Sequence, residues 1–191
     1  MKKPMHLVFL DIDGVMTSVE NGTSFLCENV AAYHLDDYCL GNILRLKHEF
    51  PDLKVVISSA WVNRCFDIDD PTPVWPWKNL EMRTPLPALH KFLEDNGLFF
   101  GALDNRSKMN GGVHVSKYNK IRDWIESRKD LIDEKNTKML VLDDDASDYN
   151  ELEKLNDFEK WGLMKIHFQQ TDYKHGFDDR ELKFAIEWMK S

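Results

Sequence analysis

The sequence predicts an α/β domain built on a doubly wound parallel sheet. Three observations predict it. Short apolar runs recur near residues 7–10, 54–57, 98–103, 139–142 and 163–168, and runs of this length read as strands buried on both faces. Segments with helical apolar spacing separate them, the alternation that a parallel sheet requires. Ser or Asp residues stand directly after three of the runs, where an open parallel sheet presents its chemistry.

The opening stretch LVFLDIDGVMT, residues 7–17, carries four apolar residues into Asp11 and Asp13, and Gly14 lets the chain turn there. Residues 16–28, rich in Gly, Asn, Thr and Ser, read as a loop or small flap. Leu35, Tyr38, Cys39, Ile43, Leu46 and Phe50 recur at helical spacing, and Pro51 ends that helix. The β-branched strand at 54–57 closes on Ser58 and Ser59. Residues 61–116 are irregular, broken by Pro71, Pro73, Pro76, Pro85 and Pro87. Within them a helix is expected at 88–96, stopped by Gly97, then a strand at 98–103 and a turn at 110–112. Ile121, Trp124 and Ile125 share one face of a helix over 118–128, with Ser116 its candidate N-cap. The strand at 139–142 runs into Asp143, Asp144 and Asp145, repeating the design of the first. A helix over 149–158, a strand over 163–168 and a helix over 178–190 complete the expected elements. The chain reads as one domain over 1–191, with 16–33 as a small flap and 61–116 contributing a lid.

Composition narrows the function. At 42% hydrophobic and 30% charged, the 191 residues can bury a proper core and are not of a disordered type. A net charge of −8 with no basic block argues against broad duplex binding, which needs clustered Lys and Arg. Cys27, Cys39 and Cys65 lie far apart without a CxxC spacing, so no ordinary zinc site is encoded and a reducing compartment is expected. His114, His167 and His175 lack metal spacing as well. The N-terminal apolar run is too short for a signal peptide, and no window approaches the ~20 apolar residues of a membrane span. A cytoplasmic protein without a membrane partner is expected.

Strand ends bearing Asp11 and Asp13, Ser58, and Asp143 with Asp144 can converge on one site, because neighbouring strands lie about 4.8 Å apart. Carboxylates so clustered repel one another unless a cation sits among them. Mg²⁺, with its preference for carboxylates, waters and phosphate, is the expected cofactor. An ionised aspartate can attack phosphorus without a base to activate it. A second aspartate can then exchange protons with the leaving oxygen and with water. A serine hydroxyl and a lysine can hold the phosphate oxygens.

This pattern resembles the haloacid dehalogenase-like (HAD) phosphatase superfamily. DIDGV at 11–15 is similar to its first motif, and VVIS at 55–58 to its second. LDDDASD at 142–148 is similar to its fourth. The resemblance implies a HAD-type Rossmann-like fold with small cap or lid insertions. It implies Asp11 as nucleophile, Asp13 as acid/base, and Mg²⁺ held by Asp11 and Asp144 through side chains and by Asp13 through its carbonyl, with Asp148 the later acid. The third motif is a Lys or Arg ahead of the last of these strands. Lys117 and Lys120 both qualify, and Lys117 is preferred because it opens the 118–128 helix. SSAW at 58–61 and LDDD resemble the small HAD domains of phage and RNA-repair proteins, although Val62 stands where those often carry Arg and the nearest arginine is Arg64. TDYKHGF at 171–177 is similar to a loop of those domains.

The expected activity is that of a phosphomonoesterase, with Ser58, Ser59, Lys117, Trp61 and Arg64 as substrate-binding residues. A small phosphorylated metabolite, such as a nucleoside 5′-monophosphate, is the first expectation. Two alternatives remain: a polynucleotide end phosphatase and a non-catalytic phosphate-binding scaffold. Blander readings stand beside these. Asp-x-Asp can cap a turn, and Asp143 to Asp145 can face a helix start. Ser58 can be a cap with Ser59 the phosphate ligand, and Trp75 and Trp77 can pack the insertion rather than stack on a base.

Overall fold

The apolar run HLVFL forms β1 (His6–Leu10) in the computed structural model, which describes residues 5–23, 34–59, 62, 85–103, 116–133, 135–149 and 165–191. Four further strands complete a parallel sheet with it: β2 (Lys54–Ile57), β3 (Phe99–Ala102), β4 (Lys138–Asp143) and β5 (Lys165–Gln170). Their spatial order is β3-β2-β1-β4-β5. The winding therefore reverses between β1 and β4, and such a reversal opens a crevice beyond the carboxyl ends of these two strands.

Among the described residues, four helices cover the sheet: α1 (Asp37–Glu49), α2 (Leu86–Asp95), α3 (Lys117–Glu126) and α4 (Asp179–Lys190). Side chains alternate across each strand, so each strand feeds two cores. Val8, Leu10, Val55, Ile57, Leu140 and Leu142 pack with α1, α2 and α4 on one face. Leu7, Phe9, Val56, Met139 and Val141 pack with Tyr118, Ile121, Trp124 and Ile125 of α3 on the other. That double burial is why the strands read as continuous apolar runs.

Helix starts follow their caps. Asp36 accepts from Tyr38 N at 2.9 Å to begin α1, Ser116 accepts from Asn119 N at 3.3 Å to begin α3, and Asp178 accepts from Arg180 N at 2.8 Å to begin α4. α2 starts two residues earlier than the pattern suggests, because Pro87 is tolerated in a first helical turn. β5 runs two residues past the expected 168, since its ladder with β4 continues to Asp143 opposite Gln170. Pairing overrides the polar pattern there, and Gln169 Nε2 donates to the carbonyl of Glu181 at 2.9 Å. The stretch expected as a flap starts inside the core, with Met16, Thr17 and Ser18 fully buried. Residues 24–33 of that stretch, most of 61–116 and the expected helix beyond residue 149 lie outside the described residues, and a single 3₁₀ turn spans Ala146–Tyr149. Among the described residues, no helix is long and apolar enough to cross a membrane.

Candidate active site

The strand ends are level with one another. Asp11 N donates to Leu142 O at 3.0 Å and Ser58 N to Leu10 O at 2.8 Å, each extending a ladder one residue past a strand. Alternation then aims the side chains. Asp11 follows Leu7 and Phe9, Ser58 follows Val56, and Asp143 follows Met139 and Val141, so all three fall on the face covered by α3. The first residue of α3 is Lys117.

Lys117 occupies that junction. Its Nζ donates to Asp11 Oδ2 at 2.9 Å and to Asp143 Oδ2 at 2.7 Å. Lys117 and Asp11 are 9% exposed and Asp143 not at all, so these are buried, charge-assisted bonds. Burial pulls the ammonium's pKa down, but the Asp11 and Asp143 charges outweigh it and hold the pKa above its ordinary value.

The three acids of LDDD divide the work. Asp143 anchors Lys117 with one oxygen and accepts from Asp145 N with the other at 3.0 Å. Asp145 is exposed and caps the 3₁₀ turn by accepting from Ser147 N at 2.8 Å, which lowers its pKa. Asp144 is half-buried, and burial, then the nearby charge of Asp11, push its carboxyl up to about 6. Gly14 makes room for it. This glycine has φ +65°, and a Cβ there would lie 2.4 Å from the Asp144 carboxylate. Both the turn and the close approach therefore require glycine.

One oxygen each from Asp11, Asp143 and Asp144 lie within 4.8 Å of one another, a grouping that could hold a metal ion. A divalent cation fits it. Lys117 pairs with two of the three carboxylates, Asp11 and Asp143, and Asp11 Oδ1 is buried with no hydrogen-bond partner among the described residues. A hard cation beside these carboxylates would balance their charge and relieve the like-charge pressure on Asp144.

The remaining expected residues are placed as follows. Ser58 is fully buried, and its hydroxyl has no partner among the described residues. Ser59 is buried beside it, and its carbonyl accepts from Val62 N at 3.1 Å. Asp13 is half-buried on the turn two residues past Asp11. Lys120 lies almost one turn farther along α3, half-buried. Asp148 falls in the 3₁₀ turn, and Trp61, Arg64, Trp75 and Trp77 lie outside the described residues. Asp143 is the residue that reasoning from sequence left without a role. The signal was present: its parity with Met139 and Val141 turns it toward the helix that Lys117 begins.

A family model described as the HAD domain in Swiss Army Knife RNA repair proteins matches residues 7–182. The chain belongs to that family. Its sheet order and its carboxylate-bearing crevice are thus those of a HAD-type hydrolase scaffold. No curated protein and no solved structure matches the chain.

Proposed function

We propose that this HAD domain is a Mg²⁺-dependent phosphomonoesterase that works through an aspartyl-phosphate on Asp11. The observation that carries the reading is the pairing of Asp11 Oδ2 with Lys117 while Asp11 Oδ1 is left without a partner among the described residues. A nucleophile needs this: one oxygen fixed, the other available. Asp11 and Asp144 would hold Mg²⁺ by their side chains and Asp13 by its carbonyl, while Asp143 holds the lysine. The bound cation would screen the charge of the nucleophile from that of the phosphate.

The chain's own residues supply the rest. Asp11 Oδ1 forms the new bond to phosphorus as the ester oxygen departs with a proton from Asp13. Asp13 then takes a proton from the water that attacks the same phosphorus, and Asp11 is released unchanged. Lys117 holds Asp11 Oδ2 in place and contributes positive charge beside the transferring group. The buried Ser58 hydroxyl donates to a non-bridging oxygen, with Ser59 the alternative. Met16 to Ser18, α2 and β3 belong to the core and the sheet, so the lid of this single domain would come from the remainder of 16–33 and 61–116.

The family shifts the substrate reading from a free metabolite to a phosphorylated RNA end, because its description names RNA repair proteins. Such an enzyme needs to hold only the terminal phosphate and the nucleotide next to it, which a net charge of −8 permits. That same charge keeps the mononucleotide as the second reading, since extended backbone tracking needs basic residues. Phosphate release from 3′- and 5′-phosphorylated oligoribonucleotides, mononucleotides and sugar phosphates decides between them. Faster release from oligonucleotides is expected. Preferential release from mononucleotides selects the second reading, and no release from any substrate with Mg²⁺ present ends both.

A further inference from the structure

We infer that Thr171, backed by Gln170, is a positioning residue that sets the gap between the two halves of the carboxylate cluster. Asp11 and Asp13 belong to the turn after β1, whereas Asp143 and Asp144 end β4. A site assembled from two chain segments works only if their separation is fixed to a fraction of an ångström. Thr171 spans them. Its N–H donates to Asp143 O at 3.0 Å, and its hydroxyl donates to Gly14 O at 2.9 Å. It is 4% exposed, so both bonds are shielded from water. Gln170 adds a third tie, its Nε2 donating to Asp144 O at 3.0 Å.

The loop that follows is seated on the same turn. Phe177 N donates to Val15 O at 2.8 Å, and Glu20 N donates to Lys174 O at 2.9 Å. Gly176, at φ +66°, leaves no space for a side chain: a Cβ would meet Cys39 Sγ at 2.8 Å and Val15 O at 2.9 Å. The end of β5 thus holds three carbonyls of the acid-bearing segments without offering a carboxylate of its own. Residues that orient ligands from behind commonly change metal affinity or activity by about 10- to 100-fold when they are lost.

The inference rests on the proposed metal-dependent reading, and the test keeps the two apart. Mn²⁺ titrations by calorimetry and by the EPR signal of the free ion would compare wild type, Thr171→Val, Thr171→Ser and Gln170→Ala, with thermal melting of each. Thr171→Val is expected to weaken Mn²⁺ binding about tenfold or more and Thr171→Ser to restore it to within about threefold. With p-nitrophenyl phosphate, kcat of Thr171→Val should fall at saturating metal. Wild-type Mn²⁺ affinity in a folded Thr171→Val protein overturns the inference and leaves the functional reading standing. Absence of Mn²⁺ binding by the wild type overturns both. Should Thr171→Val fail to fold, the surface variant Gln170→Ala decides: weakened binding supports the inference, and unchanged binding overturns it.

Discussion

Replacing Lys117 with Met tests the electrostatic design of the site. The side chain keeps nearly its volume and loses its charge, so packing at the start of α3 is preserved. Two bonds vanish, those to Asp11 at 2.9 Å and to Asp143 at 2.7 Å. Asp143, with no exposure to solvent, then loses that ammonium, while its other oxygen still accepts from Asp145 N. Removing one partner of a buried pair in this way costs about 3–5 kcal/mol. In a domain of this length about 1 kcal/mol moves the melting temperature by about 2–4 °C, so a fall of about 6–20 °C is expected. The lysine's pKa is raised in the fold. Its stabilisation is therefore complete below its ordinary value and is lost only as pH rises through the raised one, so the penalty is full at neutral pH. Mg²⁺ should raise the melting temperature of the variant more than that of wild type, because a larger carboxylate excess awaits it. Circular dichroism melts in EDTA and in MgCl₂ give both numbers. A variant melting within about 2 °C of wild type in EDTA would refute the reasoning.

Two further substitutions separate geometry from chemistry. Gly14→Ala forces a Cβ into the Asp144 carboxylate at a positive φ, where the backbone term alone costs about 1–2 kcal/mol; thermal melting should show that loss, and calorimetry a Mn²⁺ affinity weakened by more than about tenfold. Ser58→Ala removes a buried hydroxyl that has no partner among the described residues, so the melting temperature should hold or rise while KM for a phosphomonoester increases about tenfold, the worth of one hydrogen bond to a charged group.

Much of the architecture could be read from residues alone because double burial leaves a plain mark. Val55 to Ile57 and Met139 to Leu142 are apolar on both faces of the sheet and needed no further context. Caps were equally legible, as with Ser116 before α3. Ends set by pairing were not: Gln169 and Gln170 look like loop residues, and only their ladder with β4 makes them strand. The flap boundary was hidden for a related reason. Thr17 and Ser18 are polar yet buried, because Ser18 Oγ donates to Asp36 at 2.6 Å and Thr17 Oγ1 accepts from Gly14 N at 3.2 Å. In the candidate site, Asp11 and Asp144 stand in motifs, whereas Lys117 and Lys120 both qualify by residue type and only the place of Lys117 before a helix favours it. Asp143 did not stand out, because three consecutive acids do not say which one turns inward. Thr171 was hidden too, since its contribution is a hydroxyl bond to a carbonyl 157 positions away in sequence.

Acid-quenched mass spectrometry of the enzyme during turnover of a phosphomonoester with Mg²⁺ bears most directly on the chemistry. A phosphoryl adduct on the peptide carrying Asp11 is expected. Asp11→Asn, close to isosteric, should show no adduct and should release phosphate at no more than about one-thousandth of the wild-type rate. Turnover by Asp11→Asn at the wild-type rate, or an adduct on another residue, would contradict the account.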